Sequence, residues 1–140
     1  MPIPQPGDVL SYSYLWSHEA ARGQEEGLKD RPVVVVVGHL TAAQRTQLIV
    51  VPITHSAPNH AEDAIELPQD IKRHLGLDQE RSWIVMTEVN RFIWPGPDIR
   101  PIGDDGDPLF GALPEWFFLK LREAFAQKLA NKRLSDILRT

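Results

Sequence analysis

The chain has no cysteine among its 140 residues. That excludes a disulfide framework, a thiolate zinc site and a thiol nucleophile. Long apolar runs are also missing. None approaches the roughly 18 residues that a membrane-spanning helix requires, and the opening MPIPQPGDVL has neither the basic nor the apolar region of a signal peptide. A cytoplasmic protein with no membrane association is expected. Positive charge is scarce too: 15 Lys and Arg against 19 Asp and Glu leave a net charge of −4. This argues against a broad basic face that clamps nucleic acid, because phosphate contacts dominate such binding. It leaves room for a few arginines focused in a cleft. Repeats and low-complexity tracts are absent, and the length fits a single domain over residues 1–140.

What is present is mostly β pattern. Residues 8–16, DVLSYSYLW, alternate in the manner of a strand. Residues 17–30, SHEAARGQEEGLKD, are polar and punctuated by glycine, and are expected to form a long mobile loop with one helical turn at 19–22. Five valines, Val33 to Val37, then predict a strand buried on both faces. A third strand is expected over 45–54, with Pro52 marking an edge or a bulge. A polar loop follows at 55–63, then a short strand at 64–67. A short helix is predicted over 68–77, with Pro68 in its first turn and Gly76 as its stop. Residues 82–94 read as one long strand, 98–102 as a short one, and 103–112 as a loop. Apolar residues at helical spacing from Phe117 through Leu138 predict a long C-terminal helix over about residues 114–138. Strands first and a helix last, without βαβ alternation, predict a mainly β fold with a C-terminal helix. In detail, the expectation is a small antiparallel barrel or half-barrel capped by that helix.

The strand run raises a question about Arg31, a normally solvated residue at the mouth of the most apolar segment. Its neighbours in sequence form a pattern. Gly7-Asp8-Val9 opens the first strand, and Gly23-x-Glu25-x-Gly27 leads to Arg31-Pro32 and the valines. Pro52-Ile53-Thr54 ends the third strand, and Glu88-x-x-Arg91-x-Ile93 lies on a later one. This order and spacing, over residues 7–94, resembles the PemK/MazF-like ribonuclease toxins of bacterial toxin–antitoxin pairs. Val89 stands where that pattern has a glutamine, and the loop before Arg-Pro is one residue longer.

The resemblance implies an SH3-like barrel of the PemK type, a homodimer, a cognate antitoxin as partner, and cofactor-free cleavage of single-stranded RNA. It implies Arg31 and Thr54 as the catalytic pair, with Glu88 at the family's acidic position. Gln24, Glu25, His55 and Arg91 are the expected RNA contacts. Such cleavage uses the substrate's own 2′-hydroxyl as nucleophile, so the protein must stabilise the added charge on phosphorus and move protons. A planar guanidinium that stays charged suits the first task, and a hydroxyl can donate to the same phosphate. Glu88 would hold the guanidinium or act as base.

Plainer readings stand beside these. Arg31 could be a surface arginine paired with Glu25, Glu26 or Asp30, and Glu88 a salt-bridge partner of Arg91 or another arginine. His18 is a solvated loop histidine by default and a candidate general acid otherwise. His55 and His60 are too loosely spaced for a metal site. The four tryptophans are core or interface residues before they are base-stacking platforms.

Overall fold

The computed structural model describes residues 3–21, 30–131 and 135–139. Eight strands and three helices follow one another as β1 (Asp8–Tyr12), α1 (Ser17–Ala21), β2 (Arg31–Leu40), β3 (Thr46–Thr54), β4 (Ala64–Glu66), α2 (Gln69–Leu75), β5 (Trp83–Val85), β6 (Glu88–Ile93), β7 (Leu109–Ala112), α3 (Glu115–Ala130) and β8 (Ser135–Leu138). The sheet runs β4-β5-β3-β2-β1-β7, with β6 attached to β3 and β8 attached to β6. Its pairings are antiparallel except β6 with β8, which is parallel. The architecture is therefore mainly antiparallel β with a helix near the C-terminus.

The valine run becomes the centre of β2 because β-branched side chains pack well on a pleated, covered surface. Val33 to Val36 are buried, whereas Val37, beyond a register shift in the pairing with β3, is exposed. Alternation sorts β2 between two cores. Val34 and Val36 join Val51, Ile53, Ile84, Phe117, Leu121 and Phe125 on the face covered by α2 and α3. Val33 and Val35 join Leu10, Tyr12, Tyr14, Val50, Phe92 and Trp94 on the other face. Each large side chain sequestered this way stabilises the fold by about 1.5–3 kcal/mol.

Five expectations need correction. Residues 82–94 are two strands. β3 pairs with β6 through Gln47–Val50 and with β5 through Ile53–Thr54, so the chain leaves one register and enters another near Met86 and Thr87. Pro52 sits between the two pairings, where β3 has no partner on that side to miss its N–H. Second, the predicted loop 103–112 ends in β7, an edge strand on β1. Third, the C-terminal helix stops at Ala130, and residues 135–138, expected to be helical, form β8 alongside β6. Leu129 and Leu138 are accordingly exposed rather than part of a continuous apolar helix face. Fourth, the predicted loop 17–30 opens with α1 at Ser17, two residues before the expected turn. Fifth, residues 98–102 contribute a single bridge, Tyr12 to Ile99, rather than a strand. The short helix is present as α2, closed by Gly76 at φ 73°, a left-handed conformation that glycine adopts without a Cβ penalty.

Candidate functional site

Strand pairing brings the two residues of the expected catalytic pair together. Val35↔Val50, Val34↔Val51 and Val33↔Pro52 set the register of β2 on β3. Two further steps in the same register put Arg31, the first residue of β2, opposite Thr54, the last of β3. On its other side Arg31 pairs with Tyr12 of β1. Directly opposed residues in antiparallel strands share a face, so Tyr12, Arg31 and Thr54 form one row. Arg31 and Thr54 both line a cavity of about 1050 Å³, together with Tyr14, Trp16, His18, His55, His60 and Lys72.

Arg31 is half-buried, and its guanidinium lies 4.9 Å from the centre of the Trp16 ring. Trp16 packs edge-on against Tyr14. The Arg31 Nε is shielded from solvent and has no hydrogen-bond partner among the described residues. The surface pairing that would explain it away is not seen: Asp30 pairs with Arg100 at 3.4 Å, and Glu25 and Glu26 lie outside the described residues. Burial pulls the Arg31 pKa down, and the negative charge of nearby Glu19 opposes that pull. A shielded N–H with no acceptor costs about 1–3 kcal/mol, and such a group calls for a reason.

Glu88 is buried and fully occupied. Its Oε1 accepts from the Tyr14 hydroxyl at 3.2 Å and the Ser17 N–H at 2.9 Å, and its Oε2 accepts from the Ser17 hydroxyl at 3.2 Å. It therefore anchors the start of α1, and burial followed by the charge of Glu88 keeps the Tyr14 pKa well above its ordinary value. Two residues along β6, Asn90 clasps Leu15, accepting from its N–H at 3.0 Å and donating to its carbonyl at 2.8 Å. Glu88 and Asn90 thus fix the segment that carries Trp16 over Arg31. Arg91 is directed elsewhere: its Nε donates to Asp136 of β8 at 2.6 Å, and it does not line the cavity. Neither Glu88 nor Arg91 touches the other, so the expected Glu88–Arg91 pair is absent. Gln24 and Glu25 lie outside the described residues.

The same cavity is lined by a network around Lys72 and Asp78, two residues that sequence reading did not single out. Lys72 on α2 is fully buried and donates to Asp78 Oδ1 at 2.8 Å, to Ser82 Oγ at 2.7 Å, and to the Glu80 carbonyl. Asp78 in turn faces His55 Nε2 at 2.9 Å through its other oxygen, and Glu80 faces His55 Nδ1 at 3.2 Å. The hydrogen bond from Lys72 holds the Asp78 carboxyl below its ordinary pKa. His55, Asp78 and Glu80 are the one group of three metal-type donors among the described residues, with donor atoms within 4.8 Å of one another. All three are exposed, and the Lys72 ammonium already supplies the positive charge that Asp78 needs. Together with Lys72 and Ser82 the group forms one polar network. Thr54 sits beside it: its Oγ1 accepts the Ser56 N–H at 3.2 Å, which leaves the hydroxyl proton available to a ligand.

The cavity is thus lined by one guanidinium with unmet hydrogen-bonding capacity, a hydroxyl on the neighbouring strand and three histidines, all capable of meeting a phosphodiester. No family model matches the chain, and no curated protein matches it.

Proposed function

We propose that the protein is a metal-independent endoribonuclease of the PemK/MazF toxin type, acting on single-stranded RNA held in the Arg31–Thr54 cavity. The observation that carries this reading is that Arg31, which has no ion pair among the described residues, and Thr54 line one cavity. A phosphate entering the cavity would meet the Arg31 guanidinium there. Its fork would bind two oxygens of the scissile phosphate and neutralise the charge that builds as the 2′-hydroxyl attacks. The Thr54 hydroxyl would donate to the same group. The sheet would then be a variant of the PemK-type barrel, and the homodimer, the cognate antitoxin and a cytoplasmic setting come with the same resemblance. No helix among the described residues is long and apolar enough to cross a membrane.

The test is direct. The purified protein should cleave single-stranded RNA in EDTA, leaving 5′-hydroxyl ends, and Arg31→Ala should remove at least about a hundredfold of that rate. Cleavage by Arg31→Ala at the wild-type rate would remove Arg31 from the chemistry.

A second reading, a non-catalytic module binding RNA or protein on the same fold, is favoured by one observation: all the Glu88 contacts are structural, so the acidic position offers no free base. RNA retained on the protein without new 5′-hydroxyl ends would select it.

A further inference from the structure

The proposed reaction leaves one task without a residue. Breaking the bond between phosphorus and the 5′-oxygen expels an alkoxide unless a proton arrives with it. Arg31 holds its protons too tightly for that role, and Glu88 has both oxygens engaged by Tyr14 and Ser17.

The geometry points to His55 as the general acid, with Asp78 as its positioning residue and buried Lys72 as the anchor of Asp78; this rests on the nuclease reading above. His55 immediately follows Thr54 and lines the same cavity. Both its ring nitrogens face carboxylates, Asp78 at 2.9 Å and Glu80 at 3.2 Å. Each ring nitrogen thus has a carboxylate within hydrogen-bonding distance. The two carboxylates differ. Asp78 is pinned by Lys72, which is itself locked by Ser82 and the Glu80 carbonyl. The Glu80 side chain has no such tether among the described residues and is 70% exposed. A phosphodiester entering the cavity would displace Glu80 from Nδ1 and leave the Nε2 bond to Asp78 in place.

The step balances as follows. The 2′-oxygen attacks phosphorus and forms the O2′–P bond, and its proton passes to water. The P–O5′ bond breaks with its electron pair on O5′, and the Nδ1 proton of His55 moves to O5′. The products are a 2′,3′-cyclic phosphate and a 5′-hydroxyl, and neutral His55 recovers a proton from water. The groups that bear on His55 are Asp78 and Glu80 in contact and Lys72 behind Asp78. His60 and Asp63 lie elsewhere along the same loop, and His18, Glu19, Asp30 and Arg31 on the wall formed by α1 and β2. Asp63 is engaged by Lys128 of α3 at 2.7 Å.

The experiment compares two RNA oligonucleotides, one with an ordinary phosphodiester and one with sulfur in place of the 5′-bridging oxygen. A thiolate leaves without a proton, so the second substrate does not need a general acid. His55→Ala should cut the ordinary linkage about a hundredfold or more slowly and the sulfur linkage at the wild-type rate. Asp78→Asn should retain part of the activity, with the alkaline limb of its pH–rate profile moved to lower pH. Removing the anion disfavours the imidazolium, so the acid form is lost earlier as pH rises. Equal losses on both linkages, or no loss on either, would overturn the assignment while leaving the nuclease reading intact. A wild-type protein inactive on both linkages would overturn both.

Discussion

Lys72 and Arg31 are both cations drawn out of solvent along the wall of one cavity, and they are treated in opposite ways. Lys72 has three acceptors around one ammonium and almost no exposure. Arg31 has an aromatic ring beneath it, a shielded N–H with no acceptor, and no ion pair among the described residues. The other buried cations follow Lys72: Lys128 is seated on Asp63, and Arg139 meets Asp98 at 2.7 Å and the Ser13 carbonyl at 2.9 Å. A saturated buried charge holds the fold, because removing it strands its partners. An unsaturated one is a site in waiting, because its energy improves only when a ligand arrives.

That contrast breaks if the two cations respond alike to substitution. The largest effect is expected in activity at Arg31. Arg31→Ala should lose a hundredfold or more of RNA cleavage, while its unfolding free energy in urea changes by less than about 1 kcal/mol, since the lost cation–π contact is offset by relief of desolvation. Lys72→Ala should show the reverse order of sensitivities. Its urea midpoint should fall by the equivalent of about 1–3 kcal/mol, because Ser82 and the Glu80 carbonyl lose their donor. The smallest effect concerns acid stability. Lys72 depresses the pKa of Asp78 in the folded state. Asp78 therefore adds stability above its unfolded pKa of about 3.9, and that stability is lost as pH falls through the lower folded value. Asp78→Asn lacks the group, so its unfolding free energy should change less than that of the wild type when pH is lowered from 5 to 3. The difference is small because Asp78 is more than half exposed and well screened. An identical acid profile in the two proteins would mean that Lys72 and Asp78 do not interact in solution.

How much of this was legible in the residues divides along the same line. The valine strand, the helix closed by Gly76 and the start of α3 follow from local pattern, and each is present. The row Tyr12–Arg31–Thr54 was half legible: the residues stood out, but their meeting depends on a register fixed between β2 and β3. β8 was illegible. Ser-Asp-Ile-Leu continues a helical pattern as well as a strand pattern, and only its long-range pairing with β6 decides between them. β7 was masked by the glycines, prolines and aspartates around it. Lys72 was hidden for a different reason. In the helix QDIKRHL a lysine beside Ile71 reads as solvated, since lysine is almost never fully buried unless paired, and its partners lie six to ten residues further along the chain. Glu88 stood out in the sequence as the acidic site residue, and its contacts with Tyr14 and Ser17 make it the anchor of α1 rather than a partner of Arg91.

The guanidinium resting on Trp16 has a practical consequence. An indole's emission depends on the charges near its ring, so occupancy of the cavity is written into the protein's own fluorescence. An anion that draws Arg31 aside changes the light from Trp16, while Trp94, held in the core, supplies a steady background. The molecule reports on its own ligand without a dye.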